Sequence, residues 1–166
     1  REQWAYWAKL YAANELDNQI KSNWNKLEQF QLNNGSFPWF EGGQANPSIT
    51  NYIVLQLGLL HESTSTPEPE WAKVAEKALG YLAVQEKART ETKTNVTDSQ
   101  IKDRLQYWYT RLVWAKTFPL KAEEKQAAQA VQTLAAKNWV QASLFEKGVL
   151  AQVAHRLGNK PLAEQI

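Results

Sequence analysis

Cysteine is absent from the 166-residue sequence, so the chain offers no disulfide, no thiolate nucleophile and no Cys-ligated metal, and the redox compartment stays open. Histidine is nearly absent. His61 and His155 stand alone where a tetrahedral zinc site draws three or four protein ligands, so no metal is implied; His155, beside Arg156, reads as a favourable charge at a helix C-terminus. Charge of one sign is nowhere concentrated. The 19 basic and 17 acidic residues leave a net +2 with no block of like charges, which removes nucleic acid as an implied partner. The most apolar stretch, ITNYIVLQLGLL at 49–60, is broken by Asn51 and Gln56 and falls short of the about 20 residues of a bilayer span, so no membrane contact is expected of this segment. Gly42 and Gly43 precede a helix without the lysine of a phosphate loop. Paired carboxylates are lacking as well: Glu41 and Glu62 bracket a helix roughly 20 Å long, and Asp98 and Asp103 read as capping or solvated groups. No catalytic residue and no cofactor follow from this sequence, and the chain reads as a non-enzyme.

The spacing of apolar residues is helical throughout, and no strand-like alternation persists. The fold class is therefore all-α. A short opening helix near Trp4 to Ala13 precedes a stripe of Leu16, Ile20, Trp24, Leu27 and either Phe30 or Gln31, set against Lys21, Asn25, Lys26 and Glu28. Asn46 and Pro47 suit the cap and first position of the next helix, whose body from Ile49 to Leu60 is apolar almost all round and so predicts neighbours on several sides. From Trp71, the residues Val74, Ala75, Ala78, Leu79 and Leu82 form a single stripe against Lys73, Glu76, Lys77 and Glu86. After the polar linker ARTETKTNV, Thr97 and Gln100 resemble a capping box, opening a helix to about Thr117 that is rich in Leu105, Tyr107, Trp108, Leu112 and Trp114. Lys121 to Lys137 is again one-sided, with Gln129 and Gln132 opposed to Ala128 and Val131. Ser143 to Leu157 carries Leu144, Phe145, Val149, Leu150 and Val153, with Gly158 as a left-handed C-cap. One-sided outer helices thus alternate with richer inner ones. Pairs begin near residues 16, 71 and 122, a period of about 50 that fits stacked helical hairpins, either an open solenoid or a ring.

The stretch NGSFPWFEGG at 34–43 sets three rings between an Asn-Gly turn and a Gly pair. Gly35 suits the positive φ of the turn, and Pro38 stiffens the presentation of Phe37, Trp39 and Phe40. On one reading, two of the rings plug the end of a helix pair. On the other, the loop is a contact surface, with Trp39 and Glu41 as its exposed groups. Binding residues, if any, are Phe37, Trp39, Phe40 and Glu41. Other aromatics, among them Trp24, Trp71, Trp108 and Trp114, fall at or beside core spacings.

Residues 26–60, with a Gln at a helix end, the Gly-Ser-Phe turn, PWFEGG and then ITNYIV opening a helix, resemble the α/α-toroid domain of bacterial α2-macroglobulin-like proteins. SLFEKGVLAQVAHRLGNKPLAEQI at 143–166 is similar to a later inner helix and turn of that domain. A Gln before a Gly-Ser-aromatic turn is also similar to the repeat that staples helices in terpene cyclases. The resemblance implies that residues 1–166 are a single all-α domain, an arc or partial α/α toroid with inner and outer helices, excised from a larger toroid; the start without Met or signal pattern and the end in KPLAEQI agree with a fragment. It implies a non-catalytic domain of a periplasmic or cell-surface protease inhibitor or trap. Its partners would be other domains of the same chain and, indirectly, target proteases. The family's Cys-x-x-Gln thioester has no place here, because the thiol is missing. Two alternatives are a carbohydrate-active or carbohydrate-binding toroid that uses the aromatic loop, and a generic helical-repeat scaffold.

Overall fold

The computed structural model describes residues 2–64, 69–91, 97–137 and 139–166, with side chains from Asn14 onward. The described residues are all-α: α1 (Glu2–Phe30), α2 (Pro47–Ser63), α3 (Pro69–Glu91), α4 (Asp98–Val113), α5 (Ala122–Ala136), α6 (Leu144–Arg156) and α7 (Lys160–Gln165). Pairing of strand type is confined, among these residues, to one isolated antiparallel bridge between Pro38 and Ala45.

Helix ends follow local chemistry. The Asn46 side chain accepts the Ile49 N–H at 3.0 Å, with Pro47 at the first helical position, where a missing N–H costs nothing. Thr97 with Gln100 and Ser143 with Glu146 form reciprocal capping boxes that start α4 and α6. Gly158, at φ +80°, ends α6 as its position predicts.

α4 is the centre of the molecule. It packs against α2, α6 and α5, so that α2, α4 and α6, the helices predicted as inner, lie in contact one after the next; α3 sits on α2, α5 reaches both α4 and α6, and α7 folds onto α6. The sequence of α4 explains this position. Tyr107, Trp108 and the run from Thr110 to Val113 are all buried, a pattern that only a helix covered on several sides can satisfy. Gly58 of α2 lets α4 come close: a Cβ there would lie 2.6 Å from Trp114 Nε1, which instead donates to the Val54 carbonyl at 2.9 Å. Ion pairs tie the helices to one another. Arg111, buried, binds the Glu124 carboxylate of α5 and donates to the Phe118 carbonyl at 2.7 Å, fixing the turn between α4 and α5. Arg156 of α6 grips Glu62 of α2 through two 2.8 Å bonds.

Several expectations are corrected. The opening segment is not a separate helix, because nothing between Ala13 and Leu16 breaks the backbone pattern and α1 runs unbroken to Phe30. Its stripe is half-buried only at Trp24, Leu27 and Phe30, where α1 meets the body; Leu16 and Ile20 are 57% and 54% exposed. α2 has the neighbours on several sides that its sequence predicts, α3 and α4 among them, although Tyr52 and Leu60 face solvent. Leu144 and Phe145 are exposed in the first turn of α6, before that helix is covered. Glu86 and Gln132, read as polar-face residues, are buried, because the contact surfaces of α3 and α5 are wider than one stripe.

Candidate functional site

The loop between α1 and α2 is built from its neck outward. Gly35 takes φ +87°, and its lack of a Cβ lets the loop lie directly on the Lys77 carbonyl of α3, with which any larger side chain would collide. Asn34 Oδ1 accepts from Ser36 N–H at 3.1 Å and Oγ–H at 2.7 Å, closing the turn. Gln31 then staples two elements with one amide: Nε2 donates to the Gly35 carbonyl at 3.0 Å and to the Val74 carbonyl of α3 at 2.9 Å. The Gln before the Gly-Ser-aromatic turn thus has a defined mechanical part.

Phe37 is wholly buried in a core cluster that α2, α3 and Trp114 build, together with Val54, Val74 and Ala78. Its N–H donates to Thr50 Oγ1 at 2.8 Å and its carbonyl accepts from Asn46 N–H at 3.0 Å, so both backbone groups are tied to the first turn of α2. Thr50 Oγ–H donates onward to the Asn46 carbonyl at 2.7 Å. Beyond this neck the Pro38–Ala45 bridge closes a six-residue tip, and within it Gly43 N–H returns to the Phe40 carbonyl at 2.9 Å, with Gly42 at φ +75°. On that tip Trp39 is 71% exposed and Phe40 65%, with Glu41 exposed beside them as the only charge between Pro38 and Asn46.

The four residues singled out in the sequence therefore share one loop but not one environment. Phe37 points inward; Trp39, Phe40 and Glu41 point outward. The expectation that two rings serve as the plug is corrected to one, because Pro38 and the bridge turn the chain outward immediately after Phe37. The outward face is an anchored, nearly neutral aromatic protrusion. Such a protrusion can insert into an apolar pocket or stack on a flat ligand; with one carboxylate and no second ionisable group on the tip, it holds no acid–base pair.

The other candidate groups are scattered. His61 lies against the Trp114 ring at 5.0 Å and meets Thr117 Oγ1 through Nε2 at 3.3 Å, whereas His155 is exposed on α6. Among the described residues no three His, Asp or Glu side chains cluster as metal ligands. Glu62 is held below the usual carboxylate range by its hydrogen bonds from Arg156, whose own pKa the pair raises. Burial pushes the Tyr107 hydroxyl up to about 12. Asp98 and Asp103 are both exposed on α4.

Sequence reading missed one feature: a groove of about 930 Å³ between α3 and α5, floored by Tyr107, Trp108 and Arg111 of α4. Glu86 lines it, and the signal was present, since Glu86 continues the four-residue step of Val74, Ala78 and Leu82. No protein-family model, no curated protein and no solved structure matches the chain.

Proposed function

We propose that the chain is a non-catalytic docking domain, and that its two-layer helical array is an arc of the α/α toroid of a bacterial α2-macroglobulin-like protease inhibitor or trap in the periplasm or at the cell surface. The observation that carries the docking reading is the anchored tip: two large rings held in solvent on a loop whose neck is buried and hydrogen-bonded. Large exposed rings on a restrained backbone suit interface anchors, because they bury much area on contact and lose little conformational freedom. The family reading rests on the resemblance of residues 26–60, and the staple made by Gln31 agrees with it. In this reading Trp39, Phe40 and Glu41 dock on neighbouring domains of the same polypeptide until cleavage of a bait segment removes a chain constraint and shifts that packing. Proteases are then indirect partners.

A photo-crosslinking phenylalanine analogue at position 39, placed in the protein as its own gene encodes it and irradiated in the producing cells, tests this. The expected product is a crosslink within the same polypeptide that declines after protease treatment. Crosslinks to polysaccharide would instead support the carbohydrate-binding alternative, and an absence of any crosslink removes the docking role.

A further inference from the structure

Two surfaces of the described residues stand uncovered, and they complement each other. The first is α1. From Asn14 to Asn23 every side chain is exposed, and among the described side chains α1 meets the body through Trp24, Leu27 and Phe30. This stretch contains Asn14, Asp17, Asn18, Ser22 and Asn23, all weak helix formers, so propensity alone does not sustain it; a helix of this kind draws its stability from an apolar face that is covered. Leu16 and Ile20 are that face, and Gln19 and Asn23 beside them carry amide N–H donors, one of which Gln19 gives to Glu15 at 3.2 Å while its second remains available.

The second is the groove between α3 and α5. Along α3 it runs from Glu76 through Gly80, Ala83 and Lys87 to Thr90, one helical face roughly 21 Å long at about 1.5 Å per residue. Gly80 and Ala83 keep that wall low, and a Cβ at Gly80 would meet nothing. Glu86 is 5% exposed; its Oε1 takes both Arg104 Nε–H at 2.7 Å and Trp108 Nε1–H at 3.2 Å, while Oε2 is buried with no donor. Because Arg104 neutralises Glu86 and Glu124 neutralises Arg111, the groove suits a neutral N–H donor better than another cation. Trp108 and Tyr107 are too deeply buried to offer ring faces, which disfavours a sugar and favours a polypeptide.

We infer that α1 of a second copy of this chain lies in the groove between α3 and α5, antiparallel to α3, with Ile20 over Gly80 and Ala83, Leu16 between Ala83 and Lys87, and the side-chain amide of Gln19 toward Glu86. The charges agree in order and spacing. Glu76 and Lys87 on the groove wall are eleven positions apart, as are Glu15 and Lys26 on α1, so the antiparallel arrangement sets Lys26 opposite Glu76 and Glu15 opposite Lys87. Glu86 Oε2 is closed to solvent, so docking requires side-chain movement at the groove floor. The contact joins two different surfaces. Mutual exchange of α1 closes a pair, whereas one-way donation builds an open chain.

The test uses the whole 166-residue chain in sedimentation velocity, with two single variants and their mixture. Ile20→Glu spoils the donated helix and Gly80→Leu fills the receiving groove; both residues are exposed, so neither change disturbs the core, which thermal melts of the two variants verify. The parental chain is expected to self-associate, each variant alone to lose about tenfold or more in association constant, and an equimolar mixture to recover a 1:1 complex, because one variant keeps its helix and the other its groove. A parental chain that stays monomeric overturns the inference, as does a mixture that stays monomeric. So does a Gly80→Leu chain that associates like the parent, the result expected if α1 pairs with α1.

Discussion

Phe37 and Trp39 are two positions apart in one loop, flank the same proline, and have opposite fates. Phe37 is wholly buried, with both its backbone groups bonded to the start of α2; Trp39 stands in solvent with Phe40. Burial in this loop is decided by which side of the Pro38–Ala45 bridge a residue falls on. Hydrophobicity does not separate the two rings, because both would gain by leaving water. What separates them is that the neck is tied between α2 and α3, while the tip beyond the bridge stands clear of the core in solvent. The neck is thus a structural device and the tip a displayed surface.

That contrast can be broken from its strong side first. Phe37→Ala leaves a ring-sized void in a site fixed by hydrogen bonds on both flanks, and is expected to cost about 3–5 kcal/mol in denaturant unfolding. Gly35→Ala forces a left-handed residue against the Lys77 carbonyl, and should cost about 2 kcal/mol or more by the same measurement. Thr50→Val keeps the shape but strands the Phe37 N–H in the core, for a loss of about 1–2 kcal/mol.

A smaller effect is expected at the far end of α2. The lowered pKa of Glu62 means that the folded state binds its proton less readily than the unfolded chain does. The contribution of the Glu62–Arg156 pair is therefore present above the ordinary carboxylate value of 4.5 and is lost as pH falls through the lowered folded value. Melting temperature measured against pH in this acid range should decline less steeply in Glu62→Gln than in the parent. The smallest effect belongs to the tip. Trp39→Ala and Phe40→Ala should each change unfolding free energy by no more than about 0.5 kcal/mol. A loss at Trp39 comparable to that at Phe37 would erase the distinction between neck and tip.

Much of the architecture was legible in the residues. The caps at Asn46 and Thr97, the left-handed Gly158 and the stripes of α3 and α5 could be read directly, because they depend on neighbours within one turn. The richness of α4 pointed to its central place. Other features were not legible. The stripe of Leu16, Ile20, Trp24 and Leu27 is continuous, yet only its second half meets the body, since periodicity reports which face is apolar and not how far a partner extends. Glu86 and Gln132 looked like solvent-facing residues because a stripe of apolar residues understates the width of a packed face, and a buried carboxylate becomes tolerable only through Arg104 and Trp108, which arrive from another helix. At the candidate site, the Asn-Gly turn and the rigidity of Pro38 were readable, but the division of three adjacent rings into one plug and two displayed groups was not.

By itself the sequence determined that this chain is helical, where most of its helices begin and end, and that the loop at 34–43 is a stiff turn loaded with rings, because these are consequences of local hydrogen bonding and of steric limits on φ. Only the tertiary structure decided which rings are wet, that a carboxylate at position 86 lies inside, and that a groove opens between α3 and α5. Those outcomes depend on the distances between helices far apart in the chain, and no local pattern encodes a distance.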